Sequence, residues 1–248
     1  MKFHSIEGDV TVNQPNAAAV RDAIAARFAD GNGFALATIN LDHLVQLRRD
    51  TKFAHAYLAQ DFVVADGNPI VWLSRLAKRP VALVPGSELV VPLAYLAAET
   101  GVSVALIGST AEALNGAALA LETQIKGVKV VCQIAPPMGF DPESDAAAEV
   151  LARVNASGAG LAFLALGAPK QEMLAARGRT LAPDVGFASI GAGLDFLAGT
   201  QTRAPKWVQA IAMEWLWRML GSPARLVGRY ARCFGILPAL MRESWAQR

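Results

Sequence analysis

Four short stretches combine small polar, basic or acidic residues with the apolar runs before them in a way that could do chemistry. In Thr38-Ile39-Asn40-Leu41-Asp42, Thr38 and Asn40 lie two apart and would share one face of an extended segment. Capping of the following helix by Asn40 or Asp42 is the competing role. Val63-Val64-Ala65-Asp66-Gly67 puts one carboxylate where a general base could face an acceptor hydroxyl, unless Asp66 only caps the helix carrying Ile70-Val71-Trp72-Leu73. In Gly167-Ala168-Pro169-Lys170-Gln171-Glu172, Gly167 lets backbone approach a ligand and Pro169 suits a first helical turn. Unpaired N–H groups there, with the Lys170 ammonium, make an anion site. An ordinary strand-to-helix turn with Glu172 as its acidic first turn would read the same way. Gly191-Ala192-Gly193-Leu194-Asp195-Phe196 starts like a dinucleotide fingerprint, but Phe196 occupies the place of the third small residue. Gly191 and Gly193 would admit a nucleotide close to the backbone, with Asp195 accepting a hydrogen bond from ribose or base; a structural tight turn is the alternative.

These stretches need strands to carry them. Apolar runs rich in Val, Ile, Ala and Phe cover residues 34–40, 61–66, 102–108, 128–134, 161–167 and 185–191. They lack strict polar alternation, as parallel strands covered on both faces do. Helical signals fall between them, such as Ser109-Thr110-Ala111-Glu112 opening a run that ends near Gly127, and Pro169 opening one that ends by Gly178. The expected class is α/β: a Rossmann-like, mostly parallel sheet with helices on both faces and a C-terminal helical appendage. Ligands of such sheets bind beyond the carboxyl ends of the strands.

Charge and aromatic content change together near residue 203. From Arg203 onward there are eight basic and two acidic residues, a net of +6, which leaves −4 for residues 1–202 of the whole-chain +2. Four of the five tryptophans (Trp207, Trp215, Trp217, Trp245) fall in the same stretch. The expected division is therefore a catalytic core over 1–202 and a basic, Trp-rich helical appendage over 203–248. Residues 205–220 read as one helix, broken by Gly221-Ser222-Pro223, with a second from about Ala224 in which Arg225, Arg229 and Arg232 form a stripe. Tryptophan interleaved with arginine suits a membrane interface, and arginine can grip a diphosphate with two parallel hydrogen bonds. A docking helix with merely solvated arginines is the plainer reading. The acidic body and the short tail argue against nucleic acid as a partner.

Other chemistries find little support. Asp-x-Asp, through which many sugar transferases hold a metal, is absent, and Asp141-Pro142-Glu143-Ser144-Asp145 reads better as an acidic helix start. His4, His43 and His55 lack metal-like spacing, and no Gly-x-Ser-x-Gly elbow or Walker loop occurs. Cys132 and Cys233 are too far apart for a paired-ligand motif and are expected as buried, reduced thiols. The polar start and the absence of an 18-residue apolar run predict a cytoplasmic protein with no spanning helix.

Taken in order, the segments resemble the WecG/TagA/CpsF family, glycosyltransferase family 26. The resemblance runs from Thr38-Ile39-Asn40 through Ala65-Asp66-Gly67, Gly86-Ser87-Glu88-Leu89, the 167–172 segment and Asp195-Phe196-Leu197-Ala198-Gly199. It continues through Arg203-Ala204-Pro205-Lys206-Trp207, Glu214-Trp215-Leu216-Trp217-Arg218 and Pro223-Ala224-Arg225-Leu226. It implies an inverting transferase that uses no cofactor and moves a sugar from a UDP-sugar to an undecaprenyl-diphosphate-linked saccharide in bacterial envelope or capsule polymer synthesis. By the resemblance Asp66 is the base, Thr38, Asn40 and Gln171 line its pocket, and Asp195 contacts the nucleotide. Arg218, Arg225 and, more loosely, Arg229 would meet the lipid diphosphate from the appendage, on an anionic membrane surface at the inner face of the cell membrane. Self-association into a homo-oligomer is left open. Two positions depart from the family pattern: Leu83 stands where an arginine is common, and Glu88 stands in place of an aspartate. Two alternatives share parts of this pattern: an inactive lipid-binding scaffold, through the tail, and a nicotinamide-dependent oxidoreductase, through the sheet.

Overall fold

The computed structural model describes residues 1–202, 204, 205, 208, 217 and 223–248, with side chains from Val227 onward in the last stretch. The six expected strands are present: β3 (Phe34–Ile39), β4 (Phe62–Ala65), β5 (Ser103–Gly108), β6 (Val130–Ile134), β7 (Ala159–Ala165) and β8 (Gly186–Ser189). They form one parallel sheet in the order β4-β3-β8-β7-β5-β6. A short antiparallel ribbon, β1 (Lys2–His4) with β2 (Asp9–Thr11), precedes it.

Helices α2 (Leu41–Leu47) and α3 (Thr51–Leu58) join β3 to β4; α4 (Asn68–Leu76) and α5 (Gly86–Thr100) join β4 to β5. Helix α6 (Ala111–Gln124) leads to β6, α7 (Asp145–Ala156) to β7, and α8 (Lys170–Leu181) to β8, which is followed by α9 (Gly193–Leu197). Helix α1 (Ala17–Ala29) precedes β3. The chain leaves β3 toward one edge of the sheet and β5 toward the other, then returns inward through β7 and β8. The loops after these strands diverge and open a crevice over the middle of the sheet.

Alternate residues of each strand serve opposite faces. Phe34 and Leu36 pack with Val20 and Ile24 of α1 and the apolar sides of α5 and α6. On the other face Ala35, Ala105 and Phe187 meet α7 and α8, while Ala37 and Ile39 meet α2, α3, α4 and the N-terminal ribbon. Both faces are thus covered, which accounts for the nearly continuous apolar runs.

The last helix, α10 (Pro223–Ala246), begins where a second tail helix was expected. The predicted helix over 205–220 falls almost wholly outside the described residues. Helix α10 packs on α2 and α4. Leu240 is buried in the same cluster as Leu44 and Leu73. Arg48 Nη2 lies 2.8 and 2.6 Å from the two carboxylate oxygens of Glu243, and Gln247 exchanges two hydrogen bonds with the Lys2 backbone. No helix among the described residues is long and apolar enough to cross a membrane. Cys233 is buried but Cys132, on the edge strand β6, is only half-buried, which corrects the expectation for that thiol. An outermost strand has a neighbour on one side only.

Gly178 corrects another reading. It does not end α8, which continues to Leu181; an added Cβ there would stand 2.4 Å from the Phe187 ring. The glycine lets the helix lie against the sheet. Alanine gains roughly 0.5–1 kcal/mol over glycine in a helix, but a methyl forced into a packed core costs about 1–3 kcal/mol. Gly178→Ala should therefore lower the unfolding free energy by about 1 kcal/mol or more in urea titration; an unchanged or higher midpoint would show that the ring can yield.

Candidate active site

The residues singled out in the sequence gather at the carboxyl edge of the sheet. Asn40 follows β3, Asp66 follows β4, Gly167 follows β7 and Gly191 follows β8. Helices α2, α4, α6, α8 and α9 begin just beyond the strand ends at this edge; Asn40 caps α2 and Thr110 caps α6, whereas α4, α8 and α9 have no side-chain cap. Each such terminus favours a nearby anion by roughly 0.3–1 kcal/mol.

Thr38 is buried against the first turn of α5. A Cβ at Gly86 would lie 3.1 Å from Thr38 Oγ1 and from Ile190 Cα, so glycine lets this helix start lie over β3 and β8. Asn40 takes the capping role: its Oδ1 accepts from His43 N at 3.1 Å. Its Nδ2 lies 3.3 Å from His43 Nε2. With Oδ1 fixed by the cap, Nδ2 is the donor and Nε2 the acceptor, so the imidazole proton sits on Nδ1, directed at Tyr57 Oη 2.7 Å away.

Asp66 is half-buried, neither in the core nor on an outer surface. Its N–H donates to Ile39 O, and Val84 N–H donates to Ala65 O, which ties the β3 end and the loop before α5 to this carboxylate. Leu83, at the position where the resemblance expects arginine, is exposed in that loop.

Gln171 joins the ends of β7 and β8. It is buried at the start of α8, and its Oε1 accepts from Gly191 N at 3.2 Å. Its Nε2 donates to Glu172 Oε1 at 2.9 Å. Glu172 is not a solvated first-turn acid but is fully buried, and burial pushes its carboxyl up to about 7 against the lowering effect of the Gln171 bond. Lys170 is half-exposed beside it. Gly193 sits tightly by the start of α5, where a Cβ would fall 3.1 Å from Ser87 Cα. Asp195, half-buried in α9, accepts a 2.6 Å hydrogen bond from Ser109 Oγ at the end of β5. Ser109 was not singled out in the sequence. Its φ of 52° is unusual for a residue with a side chain and marks the sharp exit from β5.

The appendage reaches this edge. Arg229 Nη2 of α10 lies 3.0 Å from Asp42 Oδ2, two residues beyond Asn40. The predicted Arg218 lies outside the described residues, as does the Arg225 side chain. The 141–145 segment is the helix start that was expected: Ser144 caps α7 and Asp145 lies in its first turn. No group of three or more His, Cys, Asp or Glu side chains fit to hold a metal ion occurs among the described residues.

The family model for glycosyl transferases of the WecG/TagA/CpsF type matches residues 7–248. The chain belongs to that family. It is thus a glycosyltransferase with a Rossmann-like α/β fold, taking a sugar-nucleotide donor and a saccharide acceptor, and the oxidoreductase alternative is set aside. The WecG/TagA/CpsF match spans both the sheet and α10, so the docked last helix lies within the family's common length.

Two buried groups set a pH signature. Burial, then the nearby Arg229 charge, lowers His43 from 6.5 to about 3. The unfolded chain protonates it first, so its contribution to stability is complete above pH 6.5 and is lost as pH falls toward 3. Glu172 is raised from 4.5 to about 7, so its contribution is complete below pH 4.5 and is lost as pH rises to about 7. The two slopes oppose each other between pH 4.5 and 6.5. The stability of Glu172→Gln relative to wild type should therefore climb from pH 4.5 to 7, by an amount on the order of kcal/mol. Denaturant titration at several pH values checks this, and a constant difference between the two proteins would contradict it.

Proposed function

We propose that this glycosyltransferase moves a sugar from a UDP-sugar to an undecaprenyl-diphosphate-linked saccharide by a single inverting displacement, with Asp66 as base. The acceptor hydroxyl oxygen attacks the anomeric carbon, and the bond from that carbon to the diphosphate oxygen breaks. The hydroxyl proton passes to the Asp66 carboxylate, and UDP leaves with the negative charge. No metal held by the protein takes part. The helix starts at α5, α8 and α9, with Lys170, meet the developing charge where family members can also use the arginine replaced here by Leu83. Thr38, Asn40 and Gln171 border the donor sugar, Gly167, Gly191 and Gly193 let the phosphates approach backbone, and Asp195 holds ribose or base. The observation that carries this reading is the position of Asp66 at the carboxyl end of β4, bonded through its N–H to Ile39 O beside Asn40.

Residues 203–248 serve as the appendage that meets the membrane and the lipid diphosphate. Support comes from α10, which rests on the two helices that begin at Asn40 and Asp66. Its outward side carries Val227, Phe234, Met241 and Trp245, each about half exposed and spaced along one stripe. Arg242 is exposed near it, and Arg248 stacks over Trp245 at 3.2 Å. An apolar stripe edged by arginines suits an anionic leaflet on the inner face of the cell membrane. Arg229 is already paired with Asp42, which reduces the charge it can offer a diphosphate.

Asp66→Asn should reduce turnover by roughly a hundredfold or more with UDP affinity nearly intact; near-normal turnover would remove Asp66 from the role. The membrane reading is best probed without truncation, because Leu240 belongs to the core. Phe234→Ser with Met241→Ser should leave the melting temperature close to wild type and cut sedimentation with anionic vesicles at least fivefold. Unchanged sedimentation would refute the reading.

A further inference from the structure

The buried carboxyl of Glu172 has no role in the displacement just described, yet it is bonded to a residue that borders the donor. Gln171 could turn its carboxamide over with little change in shape. Two bonds prevent that: Gly191 N–H fixes Oε1, and Glu172 Oε1 fixes Nε2. With one Nε2 hydrogen committed to Glu172, the other is left to point from the joint between β7 and β8. We infer that Glu172 is a positioning residue that holds the Gln171 carboxamide in the orientation required at the donor. This rests on the donor reading above.

The geometry also says in which form Glu172 does so. Its Oε2 is buried without a hydrogen-bond partner, and so is Gln60 Oε1, although Gln60 Nε2 donates to the Glu172 carbonyl at 3.1 Å. Protonation removes the charge from a buried carboxyl group that has one oxygen without a donor. An ionised carboxylate would instead leave a charge in the floor of a site meant for a diphosphate, and an unpaired buried charge is costly. The titratable group facing it from α3 is Tyr57, whose hydroxyl is raised well above its usual range by burial and by the charges of Glu172 and Asp66. Behind Tyr57 stands the neutral His43 of α2, and on α8 Lys170 precedes Glu172 by two residues. The carboxyl loses its proton at about pH 7.

Two measurements on the full chain test this. The Gly191 amide resonance, which reports the bond to Gln171, should titrate with a midpoint near pH 7 in wild type and stay flat in Glu172→Gln. No titration, or the same titration in the variant, would overturn the inference, and this readout needs no ligand. Calorimetric titration with UDP should show affinity falling about tenfold from pH 6 to 8.5 in wild type and less than threefold in Glu172→Gln. Glu172→Leu, which cannot accept the Gln171 bond, should bind UDP at least fivefold more weakly at pH 6. Wild-type protein that binds no UDP at any pH would defeat the donor reading and leave the resonance experiment to judge Glu172. An equal pH dependence in wild type and Glu172→Gln would defeat the positioning role while sparing the donor reading.

Discussion

All six strands of the central sheet run the same way, and that one constraint places everything that can react at a single edge. A parallel strand needs a crossover to reach its neighbour, and helices supply it. Each helix that starts there leaves N–H groups without intrahelical partners. The strand ends then bring Asn40, Asp66, Ser109, Gln171 and Gly191 to the carboxyl edge of the sheet, although they are scattered along the chain. Reversal of any strand would send its residue to the opposite edge. The apolar faces that bury against α1, α5 and α6 on one side and α7, α8 and α2–α4 on the other hold this arrangement in place.

Beneath the rim lies a layer of buried polar side chains, several of them linked by hydrogen bonds. Asn40, His43 and Tyr57 form one chain of bonds, and Gly191, Gln171 and Glu172 another. A buried polar group left unpaired costs about 1–3 kcal/mol, so each link restrains the orientation of the next. Burial favours the neutral forms of His43 and Glu172. That neutrality suits a site that must admit the negative charges of a nucleotide diphosphate without adding its own. The last helix joins the same region through Arg229, whose guanidinium pairs with Asp42 and also helps to keep His43 neutral.

Much of this was legible in the sequence, and the exceptions follow a pattern. The six strands could be read because burial on both faces leaves uninterrupted apolar runs, and the site stretches could be read because polarity changes abruptly where those runs stop. The β1–β2 ribbon escaped notice because three-residue strands carry no period. Glu172 is legible as an acidic first turn because acidic residues favour helix starts; that this turn lies in the core is a tertiary fact. His43 was considered only as a metal ligand, and its bond to Tyr57 depends on how α2 and α3 pack. Gly178 looked like a helix end because glycine commonly ends helices, whereas here the close approach of Phe187 requires it.

The central claim is that one carboxylate at this edge accepts the acceptor proton during a single displacement. The most direct test is to incubate the purified protein with a panel of UDP-sugars and a short-chain lipid-diphosphate saccharide, then determine product mass and anomeric configuration. The account predicts one added sugar, with the anomeric configuration opposite to that of the donor. A product that retains the donor configuration, or no transfer from any UDP-sugar, would contradict it.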